Sequence, residues 1–437
     1  MEAAAMLSPE DNEILTHIGR GTPMGELMRR FWIPGLMEEE VAEPDGAPVK
    51  LRLLGEDLVA FRDTDGRVGV LDAHCPHRKV NLFFGRNEEC GLRCVYHGWK
   101  FDVDGNCVDM PSEPEATNFA RKVTTTACLT SVRGGVVWIY MGPKDAIPEL
   151  PQFEWSYLPA DRTAAIKRLQ QCNWAQAVEG GIDSSHISFL HANLGDAGRG
   201  NFNLKRESFA LSDRHPKFFL ADTDCGIQIG ARREAEGGQY YWRITQALLP
   251  FYTMIPPTME DGTSSDGIPF GGHAWVPIDD ENTWTWSFGV HPGRPFTAEE
   301  AEWTGGRNGT WGPIDENYRP LRNKDNEYLI DRERQREMSF TGIEGVPNQD
   351  AAVQESMGPI VDRSREWLGA SDSAIIAWRK KILGLAKDLQ NGQPPTMAAN
   401  GAAYNRRSCS VMLDAETDWI EGAEPLVHGG PIPNAAE

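Results

Sequence analysis

Asp72-Ala-His-Cys75-Pro-His77 and Arg93-Cys94-Val-Tyr-His97-Gly-Trp99 are the two stretches on which the reading of this chain turns. Each sets a cysteine two or three residues ahead of a histidine, and sixteen residues separate the two pairs. Two cysteines and two histidines can hold one tetrahedral zinc, but zinc fingers usually pair Cys with Cys and His with His. A two-iron, two-sulfur cluster of mixed ligation makes a different demand. Two thiolates take one iron and two imidazoles the other, so each loop must supply one sulfur and one nitrogen. Both loops do so, which makes Cys75, His77, Cys94 and His97 the expected ligands. Imidazole ligation sets the potential at roughly −150 to +300 mV, suiting a centre that accepts electrons and passes them on. His74 is read as a loop residue.

Around these loops the sequence runs in short β-type segments, Val49-Lys-Leu-Arg-Leu-Leu, Leu58-Val-Ala-Phe-Arg and Gly135-Val-Val-Trp-Ile-Tyr, with Asp65-Gly66 and Asp104-Gly105 as turns. An all-β domain over residues 48–155 follows, left by the Pro-rich passage from Pro143 to Pro159. Ahead of it, residues 1–47 read as a helical segment packing on the larger domain, with helices from Pro9 to Ile18 and from Met24 to Arg30. Residues 156–421 read as α+β: Lys217-Phe-Phe-Leu-Ala-Asp, Gln239-Tyr-Tyr-Trp-Arg-Ile-Thr and Thr283-Trp-Thr-Trp-Ser-Phe are antiparallel strands. A helix begins at Ser371-Asp372 and keeps an apolar face to Gly392. The Gly/Pro-rich residues 422–437 read as a loose tail. A length of 437 residues itself favours more than one core.

Composition narrows the partners. Sixty-four acidic residues against 43 basic ones leave a net charge of −21, which opposes nucleic acid and anionic lipid. No run approaches the roughly 20 apolar residues of a spanning helix, and the N-terminus lacks a basic, then apolar, leader, so a cytoplasmic location is expected. Eight cysteines are too few for a disulfide scaffold. The six outside the two loops read as small buried hydrophobes.

A second constellation is Glu179-Gly-Gly-Ile-Asp183-Ser-Ser-His186-Ile-Ser-Phe-Leu-His191. His186 and His191 lie five apart and diverge by about 140° on an ideal helix, so the helix must distort or end if both bind one metal. With a redox cluster upstream, the two histidines point to a 2-His-1-carboxylate set, the non-haem Fe(II) arrangement with open positions for dioxygen. Spacing alone leaves Glu179 and Asp183 open as the carboxylate. Gly180 and Gly181 each cost a helix about 1 kcal/mol against Ala, which implies a packing or functional reason for them. A plain electron carrier would need no second set, and a zinc-stabilised binding protein no redox metal.

These motifs, with Met6-Leu-Ser-Pro-Glu-Asp-Asn, Arg20-Gly-Thr-Pro-Met-Gly-Glu-Leu-Met-Arg-Arg-Phe-Trp-Ile-Pro34 and Asn348-Gln-Asp350-Ala-Ala-Val-Gln-Glu355, make the chain resemble the Rieske non-haem iron aromatic-ring oxygenases, in the group of phthalate 4,5-dioxygenase oxygenase components. The resemblance implies an all-β Rieske domain inserted in a helix-grip-like catalytic domain with an antiparallel sheet. It implies a [2Fe-2S] cluster on Cys75, His77, Cys94 and His97, and mononuclear Fe(II) on His186, His191 and Asp350. Asp183 matches the family's bridging aspartate, and Glu179 stands where several relatives have Asn. Trimers or stacked trimers are implied too, one subunit's cluster serving the next subunit's iron. The implied reaction is dihydroxylation of a phthalate-like acid with O₂; O-demethylation or monohydroxylation of a substituted benzoate uses the same ligands. No Gly-rich dinucleotide fingerprint follows a predicted strand, so the NAD(P)H and flavin steps fall to a separate iron–sulfur reductase. An aromatic carboxylate entering so acidic a protein needs a local cation, and Arg214 and Arg243 are the candidates.

Overall fold

The computed structural model describes residues 6–194, 209, 213–256 and 270–432. Three antiparallel sheets organise them. The first has six strands in the spatial order Trp32–Met37, Val136–Tyr140, Ala127–Arg133, Val68–Asp72, Glu56–Arg62 and Val49–Leu53. Its edge strand, Trp32–Met37, lies within the stretch expected to be helical. Six consecutive apolar residues, all buried, explain why it prefers a sheet. The second sheet is small, Arg86–Glu88, Gly91–Arg93, Lys100–Phe101 and Cys107–Asp109, and carries the second Cys/His loop between its middle strands. Asp65-Gly66 and Asp104-Gly105 are turns as expected, each glycine at positive φ.

The third sheet runs Thr163–Gln170, Thr283–Val290, Phe270–Pro277, Tyr252–Met254, Gln239–Leu248, Gly226–Glu234 and Lys217–Thr223, with Cys409–Asp414 also pairing Gln239–Leu248. Helix Trp174–Ile182 lies against it, burying Trp174, Ala175, Ala177, Val178 and Ile182. Asn173 caps that helix by accepting from Ala175 N at 3.1 Å, and its amide donates to Thr16 O and Asp280 O. One apolar core runs through the N-terminal helices Pro9–Thr16 and Pro23–Met28, the first sheet and the third. Helix Ser373–Gln390 follows a short 3₁₀ turn, and Asp372, in its N-cap position, makes no side-chain cap bond to it. The segment expected to be loose is packed over its described part. Ala423 and Val427 are fully buried beside Trp242 and Cys409, because the short helix Trp419–Ala423 turns its apolar side inward. Among the described residues, no helix is long and apolar enough to cross a membrane.

Candidate metal centres

The two Cys/His loops share one backbone design. In the first, Cys75 N donates to Val80 O and Lys79 N returns to Cys75 O, both at 2.9 Å. In the second, Cys94 N donates to Trp99 O at 2.8 Å and Gly98 N to Cys94 O at 3.0 Å. The residue four after each cysteine, Lys79 or Gly98, has positive φ. Two like turns therefore face each other, thiols inward and imidazoles outward: Cys75 and Cys94 are buried and His77 is exposed. The rings of His77 and His97 lie 4.5 Å apart, and Trp99 stacks on His77 at 4.3 Å.

These residues fit a two-iron cluster better than one zinc. Among the described residues, the one group of three or more such donors within 4.8 Å of one another lies elsewhere, so the four do not converge on a single ion. His97 Nδ1 is buried with no hydrogen-bond partner, as a ligand atom should be. Burial pushes the Cys75 thiol up to about 11 and Cys94 adds to it, so a cation in place of the proton relieves both sulfurs.

The converging group is His186, His191 and Asp350. Helix Trp174–Ile182 ends before His186, which resolves the 140° divergence without a π-bulge. Asp183 caps its C-terminus in extended conformation, and Asp183 Oδ1 accepts from Ser185 N at 2.6 Å. A single 3₁₀ turn, His186–Ser188, then carries the chain round to His191. Backbone bonds Phe340 N to Ala192 O and Leu194 N to Met338 O, both at 2.9 Å, tie this segment to the chain leading into helix Val346–Ser356. Asp350 sits inside that helix, so it is not the N-cap that an Asp often is; the cap residue is Gly345.

The three ligand atoms form a near-equilateral triangle. His186 Nε2 lies 3.2 Å from His191 Nε2, and Asp350 Oδ1 lies 3.5 and 3.4 Å from them. That is close to the spacing of adjacent ligands on an ion at about 2.1 Å. The neighbours fix the tautomers. His186 Nδ1 faces the acceptor-only Asp183 Oδ2 at 3.2 Å, and His191 Nδ1 faces Gln349 Oε1 at 2.7 Å. Both Nδ1 atoms therefore carry a proton, and with neutral rings two lone-pair nitrogens and a carboxylate oxygen turn on one another, an arrangement that a shared cation satisfies. Burial raises the Asp350 pKa, but His191 and His186 outweigh it and hold the carboxyl below its usual range. Asp183 is likewise held low, burial being outweighed by His186 and the Ser185 backbone.

Glu179, one of the two carboxylates that spacing left open, points elsewhere. It takes Arg363 in a bidentate pair at 2.9 and 3.1 Å and Arg379 Nε at 2.7 Å. Gly180 and Gly181 have packing reasons: an added Cβ would lie 2.1 Å from Gln354 Nε2 at the first and 2.9 Å from the Trp275 ring at the second.

The triad opens into a cavity of about 420 Å³, within the range of small-molecule sites. Arg243 lines it, buried on strand Gln239–Leu248 with Nη2 donating to Pro256 O at 2.9 Å. Arg214 does not. It is exposed, and its guanidinium lies over the Phe189 ring. Trp275, Trp303 and Trp311 supply flat apolar wall, and so does His273, whose pKa burial pushes down to about 4, leaving it neutral near pH 7. Sequence reasoning missed Gln349, His273 and the tryptophans. Gln349 adjoins Asp350 in the quoted motif, whereas a lone histidine in the apolar strand Phe270–Pro277 offers no periodic signal.

Residues 31–125 match the Rieske [2Fe-2S] domain and residues 139–426 the LigXa C-terminal domain-like family. The chain is 43% identical to the phthalate 4,5-dioxygenase oxygenase subunit of Pseudomonas putida, covering 95% of this chain and 94% of the relative. It is 34% identical to the 5,5'-dehydrodivanillate O-demethylase oxygenase subunit of Sphingobium sp., covering 98% and 92%. Among solved structures, NdmA of Pseudomonas putida CBB5, a QL mutant with caffeine, superposes with a TM-score of 0.57 at 18% identity over 87% of this chain and 96% of that one, a likeness of fold.

Proposed function

Because the chain belongs to the Rieske non-haem iron oxygenases as an oxygenase component, we propose that it uses O₂ to dihydroxylate an aromatic carboxylate of the phthalate type. A separate flavin and iron–sulfur reductase brings the electrons from NAD(P)H. The observation that carries this reading is the triangle of two lone-pair nitrogens and one carboxylate oxygen beside a 420 Å³ cavity. Cys75 and Cys94 would hold one iron of the cluster, His77 and His97 the other, and His186, His191 and Asp350 the mononuclear iron. When bound, these groups supply electron storage and activation of O₂.

The chain's own residues do the rest. Arg243 meets the substrate carboxylate with a planar, two-pronged donor. Trp275, Trp303 and Trp311, which line the cavity, offer flat apolar faces to the ring. Asp183 accepts the Nδ1 proton of His186 and keeps acceptor capacity for a cluster histidine of a neighbouring copy, in a homotrimer or stacked trimers. O-demethylation or monohydroxylation of a substituted benzoate is the second reading, favoured by the likeness to the dehydrodivanillate enzyme. The test is product analysis under ¹⁸O₂ with NADH, a compatible reductase and a panel of phthalates, benzoates and methoxybenzoates. A diol with two labelled oxygens supports the first reading, and formaldehyde or a single labelled hydroxyl the second. Protein that lacks a Rieske spectrum, or consumes no O₂ with any aromatic acid, sinks both.

A further inference from the structure

An imidazole that binds metal through one nitrogen must place the proton on its other nitrogen somewhere, and the acceptor sets both the ring's angle and its basicity. The two iron-facing histidines differ in this respect. His186 donates its Nδ1–H hydrogen bond to a carboxylate, Asp183, at 3.2 Å, whereas His191 donates to an amide oxygen, Gln349 Oε1, at 2.7 Å. That amide has one orientation, because Gln349 Nε2 donates to Ile343 O at 2.8 Å and leaves only the oxygen end for His191. The turn bearing Gln349 is pinned in its own right. The buried Arg168 donates to Pro347 O at 2.8 Å and to Asn348 Oδ1 at 3.2 Å, and Asn348 Nδ2 donates to Glu344 O at 3.0 Å.

We propose that Gln349 is a positioning residue for the mononuclear site, fixing His191 as an Nε2 donor and keeping that arm of the site uncharged. The inference rests on the reading of His186, His191 and Asp350 as the iron site. Charge-assisted hydrogen bonds are roughly twice as strong as neutral ones, so the two arms are unequal. His191, with a side chain 7% exposed, is the fixed anchor, and His186, at 23%, is the polarised arm. A third carboxylate here would crowd Asp183 and Asp350, whereas an amide orients the ring without adding charge.

The test is metal affinity of the full-length protein with its cluster intact, stripped of mononuclear metal and titrated with Fe(II) and with Co(II) against a competing chelator. Gln349→Leu should bind 10- to 100-fold more weakly, with the Rieske absorption unchanged. Gln349→Glu keeps an oxygen toward His191 Nδ1 but loses the donor to Ile343 O, so it should bind more tightly than Gln349→Leu; a merely structural role would weaken both variants alike. Wild-type affinity in Gln349→Leu, or equal losses in the two, overturns the proposal. Should Gln349→Leu lose the cluster spectrum as well, Gln349→Asn, one methylene shorter, carries the same expectation and the same refutation. Asp350→Ala in the same series separates the two readings. If it binds like the wild type, the iron-site reading fails; if it loses metal and Gln349→Leu does not, only the role of Gln349 fails.

Discussion

Glu179→Gln removes a charge that two buried arginines share, and the structure sets the size of the effect. Arg379 retains its two bonds to Glu366, at 2.7 and 3.2 Å, and so keeps a counter-charge. Arg363 has no exposed surface and is left with neutral acceptors, Asn12 Oδ1 at 3.1 Å and at most the new amide oxygen, so its charge becomes uncompensated in the interior. Breaking a buried pair from one side destabilises by about 3–5 kcal/mol, and nearly all of it falls on Arg363. The effect also has a pH signature. Burial is the largest influence on Glu179 and raises its pKa, but Arg363 and Arg379 outweigh it, so the folded value lies below the unfolded value of about 4.3. Stability from a depressed carboxyl is present above the unfolded pKa and lost as pH falls through the folded one. Urea unfolding followed by tryptophan fluorescence should therefore show a much lower midpoint for the variant at pH 7, and a narrower gap from the wild type as the pH falls below about 4. Iron content of the folded variant should not change, since Glu179 faces arginines rather than the triad. An unchanged midpoint, or iron lost at unchanged stability, would refute this account.

Asp350→Ala should lose the mononuclear iron and keep the Rieske spectrum, read by iron analysis and visible absorption; a variant that retains both irons and activity would misplace the third ligand. Arg243→Gln should raise the KM of an aromatic carboxylate about 10- to 100-fold, the value of one charge-assisted pair, and should affect a neutral ester of the same acid little. An unchanged KM removes Arg243 from substrate binding. Asp183→Asn keeps size but halves the accepting capacity, so both metal sites should fill while single-turnover oxidation of the pre-reduced cluster slows about tenfold or more. Wild-type coupling in that variant would route the electrons elsewhere.

What was legible in the sequence is what local chemistry determines. Cys75, His77, Cys94 and His97 are close in sequence and of rare types, so their spacing favours a mixed-ligand cluster over zinc. The Asp-Gly turns and the half-buried strands follow from period-two patterning and positive φ, both local. The strand Trp32–Met37 was missed because its partner, Val136–Tyr140, lies a hundred residues on, and no local signal distinguishes a buried strand from a buried helix. Asp350 came from a motif resemblance, since the triangle it completes joins positions about 160 residues apart in the chain. Burial alone separated the two arginine candidates: Arg243 is on a strand whose register turns it to the cavity, and Arg214 is in a loop outside it.

The end of helix Trp174–Ile182 shows why the site needs both halves of this account. A continuous helix would carry His186 and His191 apart, and a fully irregular loop would not hold two imidazoles 3.2 Å from each other. The chain meets both requirements by making the helix rigid and then stopping it. Glu179 locks its last turns to Arg363 and Arg379, and Gly180 and Gly181 let Gln354 and Trp275 pack closely against it. Asp183 then ends the helix and turns the backbone by accepting from Ser185 N, while its other oxygen aims His186. The same carboxylate thus terminates a helix and orients His186. The glycines that looked unfavourable for a helix mark where packing density, rather than helix propensity, decides the structure.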